Sequence, residues 1–146
     1  RYVLVKTPEA VRKIQSCFYF AAALPKELGQ PKEGEQPAAF IILCTEGRET
    51  PWTGIDIGIA VRTMNLNAYI HGVGSCIIGN VEFEKVKEIL SIPETWIPRL
   101  ALALGYPSHK STIVELPEDG SVKYYLDEER QYYVPKRKRK DISIIR

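Results

Sequence analysis

The sequence has 146 residues, 45% of them hydrophobic and 26% charged, with a formal net charge of +2, an ordinary globular composition. That charge is too small to mark the whole chain as a binder of nucleic acid or of acidic surfaces, and no apolar run reaches the ~18 residues a membrane-spanning helix needs. The first residues, Arg1-Tyr2-Val3-Leu4-Val5-Lys6, lack the pattern of a signal peptide, so a cytoplasmic protein with one domain over residues 1–146 is expected.

Residues 2–6 carry β-branched Val3 and Val5 at alternate positions like a short strand, and Thr7-Pro8-Glu9 reads as an N-cap, a proline at the first helical position and an acidic first turn. The helix that follows should bury Val11, Ile14, Phe18 and Ala21 or Ala22 and stop before Pro25. Residues 26–37, rich in Pro, Gly, Glu and Lys, have no apolar face and predict an exposed loop. Ala38-Ala39-Phe40-Ile41-Ile42-Leu43-Cys44 is continuously apolar over strand length, which predicts a central strand covered on both faces.

A second helix opens near Thr53-x-x-Asp56 and ends at Gly72. Its apolar residues Ile55, Ile59, Met64, Leu66 and Tyr69 cover more than half its circumference, which predicts deep burial. Residues 83–90 form a short amphipathic helix, 92–98 an irregular turn and 99–105 another apolar strand. Pro117-Glu118-Asp119-Gly120 marks a turn, and 121–126 and 142–145 are expected to be strands. Strands and helices alternate in a manner that fits α/β or α+β, without repeats.

The most informative stretch runs from Asp56 to Asn80, where a helix leads into Gly72-Val73-Gly74-Ser75-Cys76-Ile77-Ile78-Gly79-Asn80. Side chains are nearly absent at Gly72, Gly74, Ser75 and Gly79, while Ile77 and Ile78 offer an apolar floor and free N–H groups remain for a heteroatom, a bed suited to an aromatic cofactor. The competing reading is an ordinary helix C-cap and a tight turn into a strand. A Rossmann fingerprint is excluded, because the glycines follow a helix and their spacing is wrong for one. Asp56 and His71 read as side chains that complement the two ends of the helix dipole.

Cys17, Cys44 and Cys76 are odd in number, form no C-x-x-C pair and lie in apolar stretches, so buried reduced thiols are expected, with no metal site and no side-chain nucleophile. Lys136-Arg137-Lys138-Arg139-Lys140 places five consecutive cations near the C-terminus. Phosphate binding, a solvated surface and a nucleic-acid arm are all open to such a run, although the apolar residues that follow disfavour a free basic arm.

The segment 56–80, the helix at 83–90, the phrase Leu90-Ser91-Ile92-Pro93, the strand ending Ala103-Leu104-Gly105-Tyr106-Pro107 and the basic run 136–140 together resemble the nitroreductase family of flavoenzymes. The resemblance implies an α+β fold, a three-layer α/β/α sandwich with a mixed or antiparallel central sheet. It also implies an intertwined homodimer with FMN at the subunit interface, NAD(P)H as electron donor, and hydride passage through flavin N5 to a small-molecule oxidant such as a nitroaromatic or a quinone. Carried onto this sequence, the loop beneath the ring corresponds to Ile77, Ile78, Gly79 and Asn80, with a backbone N–H near Gly79 or Asn80 toward N5. The phosphate ligand falls within 136–139, Arg137 first and Arg139 second, because guanidinium grips phosphate bidentately. The family's helix with an Arg-x-Ser-x-Arg type motif, and its loop beneath the pyrimidine, would precede residue 1. Two alternatives accompany this expectation. One is a flavin-binding relative with another reaction, such as dehalogenation, ring oxidation or flavin storage; the other is a non-catalytic module with a nucleic-acid-binding basic tail.

Overall fold

The first elements are β1 (Tyr2–Val5), α1 (Pro8–Gln15), α2 (Lys26–Gly29), β2 (Ala39–Glu46), α3 (Thr53–Ile70) and β3 (Gly74–Ile78). They are followed by α4 (Phe83–Ile89), β4 (Trp96–Gly105), β5 (Ser111–Glu115), β6 (Tyr125–Leu126), β7 (Tyr132–Lys136) and α5 (Arg139–Ile142). This computed structural model describes residues 1–146, the side chain of Lys26 excepted. The residues group into two compact units, Arg1–Phe20 with Gln30–Pro107, and Ala21–Gly29 with Ser108–Arg146. Among the described residues no helix is long and apolar enough to cross a membrane.

In the first unit the helix start is as the sequence predicts. Thr7 is extended and its Oγ1 accepts from the Ala10 N–H, Pro8 follows it, and Glu9 pairs with Lys13 one turn on at 2.7 Å. The helix is shorter than its apolar spacing implied. It ends at Gln15, and Phe18 instead bridges Val81 in an extended segment, 1% exposed and stacked on Phe40 with ring centroids 4.3 Å apart. Burial of Phe18 is satisfied without a helical turn, so helical spacing alone could not fix the boundary.

Four strands pair antiparallel in the order β1-β2-β4-β3. On one face Val11 and Ile14 of α1 and Val86 of α4 pack against Val5, Phe40, Ile42, Ala101, Ala103 and Ile78. On the other, Ile57, Ala60, Val61 and Met64 of α3 cover Ile41, Leu43, Leu100, Leu102 and Leu104. These are the three layers and the antiparallel sheet of the expected α+β fold. They explain the unbroken apolar run of β2, since alternate residues enter different cores. β4 begins earlier than expected, at Trp96, and includes the buried Pro98. A register shift between Leu43 and Cys44 lies opposite Leu100 and Pro98, and this irregularity accommodates a residue with no N–H to give the ladder.

The deep burial expected of α3 is corrected. Val61 is its one buried residue, while Ile59 is 62% and Tyr69 80% exposed, and Ile55, Leu66 and Ile70 are exposed as well. A helix apolar around most of its circumference lays one stripe on the sheet and leaves the rest uncovered by its own chain.

In the second unit β7 pairs parallel with β5 and antiparallel with the two-residue β6. Asp127 organises the turn before β7: its Oδ1 accepts from the N–H of Glu129 and Gln131, and its Oδ2 accepts from the Tyr133 hydroxyl. The strand expected at 121–126 shrinks to β6, and the one expected at 142–145 is absent: Ile142 ends the helical turn α5, and Ile144 and Ile145 are exposed outside any ladder. Alternation favours a strand only where an edge is available to pair with it.

Candidate functional site

The chain enters the candidate site through the end of α3. Gly72 has φ of +73° and donates to the Tyr69 carbonyl at 3.0 Å, a left-handed closure that glycine makes without strain. Gly74 has a different reason: a Cβ there would lie 2.8 Å from Cγ of Pro107. Asn65 of α3 donates from Nδ2 to Ser75 Oγ at 2.7 Å and accepts from Arg62 through Oδ1. Much of the stretch read as an open glycine-rich loop is therefore a strand. Residues 74–78 pair with β4, and the open backbone begins at Gly79. Two of its glycines serve helix closure and close packing rather than ligand access.

The four residues expected beneath a ring occupy unlike positions. Ile77 lies on the α3 side of the sheet and is 41% exposed, whereas Ile78 is 4% exposed and packed in the opposite core. The side chain of Ile78 is thus committed to the fold and supplies no floor. Gly79 and Asn80 are exposed just past the strand end, and among the described residues no protein acceptor takes the N–H of either. A Cβ at Gly79 would meet only Leu100 Cδ1, at 3.7 Å, so the backbone is open on that side. A side-chain-free position, two free donors and an exposed isoleucine fit the edge of a flat heteroaromatic ring whose nitrogen needs a hydrogen bond.

The other side of this turn is held. Tyr19 N–H donates to the Asn80 carbonyl at 3.0 Å, Glu82 N–H donates to the Cys17 carbonyl at 2.9 Å, and the Tyr19 hydroxyl donates to Glu82 Oε1 at 2.6 Å. The neighbouring carboxylate pushes the Tyr19 hydroxyl's pKa above its ordinary value, first through that hydrogen bond. Sequence reasoning missed Tyr19 and Glu82, because 63 positions separate them and no spacing signal joins them.

In the second unit Arg137 is exposed just past β7, and Arg139 is exposed at the first position of α5. Lys138 is taken up by Glu115 at 3.0 Å, while neither arginine side chain has a carboxylate partner among the described residues. Cys17 and Cys44 are buried, as expected, but Cys76 is exposed rather than buried on the edge strand. Crowding around its sulfur still raises the thiol pKa, which keeps it a poor nucleophile at neutral pH. His71 stands at the C-cap of α3 with Nδ1 2.8 Å from the Asn67 carbonyl, and Asp56 lies in the first turn. No group of three or more metal-ligating side chains occurs among the described residues.

The model of the nitroreductase family matches residues 32–106, just over half of the chain, from before β2 to the end of β4. The chain belongs to the nitroreductase family. The matched region contains Ile77, Ile78, Gly79 and Asn80, whereas the basic run lies beyond it. Among curated relatives, the FMN reductase (NADPH) of Bacillus subtilis (strain 168) is 37% identical over 59 residues, which cover 39% of this chain and 24% of that protein. A nitroreductase family protein from Clostridium difficile 630 superimposes with a TM-score of 0.55 at 20% identity, over 74% of this chain and 59% of its own. The NADPH:FMN oxidoreductase of Vibrio harveyi, solved with NAD+, gives a TM-score of 0.54 at 22% identity, over 74% and 50%. These likenesses show the shared fold. The match spans about a quarter of the curated relative and half to three fifths of the two solved chains.

Proposed function

We propose that this chain serves as an FMN-dependent oxidoreductase that uses NAD(P)H and passes reducing equivalents to small oxidants of the nitroaromatic or quinone class. The observation that carries the reading is the pair of unpartnered N–H groups at Gly79 and Asn80, beside a position with no side chain, inside the region the nitroreductase family shares. When bound, FMN supplies the hydride chemistry at N5, so no nucleophile or metal is required of the protein. The N–H groups of Gly79 and Asn80 would donate to a ring nitrogen of the flavin, and Ile77 would offer apolar contact at its margin.

Arg137, and after it Arg139, is the proposed grip on the flavin phosphate. The support is chemical: each guanidinium is exposed and has no ion pair among the described residues, and a planar fork matches a phosphate. The exposed apolar stripe of α3 supports a homodimer, since a second copy would remove Ile55, Ile59, Leu66, Tyr69 and Ile70 from water.

Titration of the purified chain with FMN, followed by absorption or flavin fluorescence, tests the reading. Saturable binding is expected, together with NAD(P)H oxidation in the presence of a quinone. Gly79→Val should abolish flavin retention, and wild-type occupancy in that variant would remove the loop from the site. Arg137→Ala should weaken FMN by about 1.5–3 kcal/mol, the range of a charge-assisted hydrogen bond; an unchanged dissociation constant would move the phosphate to another cation.

A further inference from the structure

The free donors at Gly79 and Asn80 sit on backbone whose other side is fixed. Phe18, stacked on Phe40, and fully buried Cys17 anchor the segment that carries Tyr19. That segment bonds to the carbonyl of Asn80 and to the N–H of Glu82, so it holds the turn both before and after Val81. The Glu82 carboxylate has both oxygens engaged: Oε1 accepts from the Tyr19 hydroxyl at 2.6 Å, and Oε2 faces Lys85 Nζ at 3.8 Å. The side chains thus keep one negative charge in a defined place two residues beyond the open donors, with a hydroxyl drawing on it from one side and an ammonium from the other.

We propose that Tyr19 is a positioning residue for the turn at Gly79 and Asn80, and that through its hydrogen bond to Glu82 it sets the balance between oxidised and reduced flavin bound there; this rests on the function proposed above. Reduced flavin carries more electron density than oxidised flavin, so an unshielded carboxylate close by disfavours the reduced form. The Tyr19 hydroxyl draws charge from Glu82 and lessens that penalty, and removal of the Glu82 charge lessens it further. The raised pKa of Tyr19 keeps the hydroxyl protonated as a donor throughout the neutral range.

Two variants separate this role from simple bracing. Tyr19→Phe keeps the ring and removes the hydroxyl, leaving Glu82 less shielded. Glu82→Gln keeps an acceptor for Tyr19 and removes the charge. The ratio of FMN dissociation constants for the oxidised and reduced forms, obtained by binding titration and potentiometry, should move in opposite directions. The preference for reduced FMN should fall about threefold to tenfold in Tyr19→Phe and rise by a similar factor in Glu82→Gln. A brace without an electrostatic role would loosen the turn and shift both variants the same way, or leave Glu82→Gln unchanged. Either result, with flavin lost in Gly79→Val, overturns the inference and leaves the site in place. Flavin binding indifferent to all three substitutions, or absent in the wild-type chain, overturns the reading of the site and the inference with it.

Discussion

The two faces of the four-stranded sheet are lined by equally apolar strands, yet they are finished differently. Beneath α1 and α4 the core is closed, with Ile14, Phe40, Ile42, Val86 and Ala101 fully buried. Over the opposite face α3 covers Leu43 and Leu102 with one stripe and turns Ile55, Ile59, Leu66, Tyr69 and Ile70 outward. The contrast separates two uses of an apolar residue. On the first face it stabilises the fold by burial, and on the second much of the apolar surface stays in contact with solvent.

The comparison breaks most visibly with a pair of substitutions. Phe40→Ala, in the closed face, should lower the unfolding free energy by about 3–5 kcal/mol in urea denaturation. Ile59→Lys, on the open face, should change the stability of the isolated chain by no more than about 0.5 kcal/mol while abolishing the proposed self-association in sedimentation. An Ile59→Lys chain as destabilised as Phe40→Ala would mean that the α3 stripe belongs to the chain's own core.

A smaller effect distinguishes Gly74, the first residue of β3, from Gly79, just past its end. Gly74→Ala forces a methyl to 2.8 Å from Pro107 Cγ and should cost about 1–3 kcal/mol, whereas Gly79→Ala meets only Leu100 at ordinary contact distance and should stay within about 0.5 kcal/mol. Equal losses, measured by the same denaturation, would show that Gly79 is also a packing glycine.

The smallest effect concerns pH at the rim of the closed face. Glu46 accepts from Arg1 Nε at 2.6 Å, and from Trp96 Nε1 and Thr95 Oγ1. The hydrogen bond from Arg1 is the main reason its carboxyl titrates below its ordinary value of 4.5. A depressed folded-state pKa contributes stability above the unfolded value and loses it as pH falls through the folded one. Thermal melts taken between roughly pH 5 and 3 should therefore decline less steeply in Glu46→Gln than in wild type; parallel curves would assign the acid sensitivity elsewhere.

The closed face was legible because its signals are local or doubly determined. Thr7-Pro8-Glu9 specified a helix start, and the run through Phe40 and Leu43 specified a strand with both sides covered. The open face was misread as buried because periodicity reports that a surface is apolar and not which molecule covers it. Pro98 was read as a turn because the bulge that admits it belongs to β2, on a partner strand distant in sequence. Ile78 was taken for a floor because adjacent residues of a strand point to opposite faces, and only the register with Ala101 decides which side each one takes. At the candidate site, the sequence located the turn at Gly79 and Asn80 but gave no sign of the Tyr19–Glu82 brace behind it.

The strand order β1-β2-β4-β3 has a consequence for how the chain comes together. No two neighbours in this sheet are joined by a hairpin. Tyr2 must find Leu43, Phe40 must find Ala103, and the last strand made is inserted between two made earlier. Loop closure must therefore come before most of the pairing that rewards it, and folding is expected to be slow for a unit of this size. During synthesis β2 and β3 wait with open edges until residues 96–105 leave the ribosome, and in that interval the apolar strands are most exposed to aggregation.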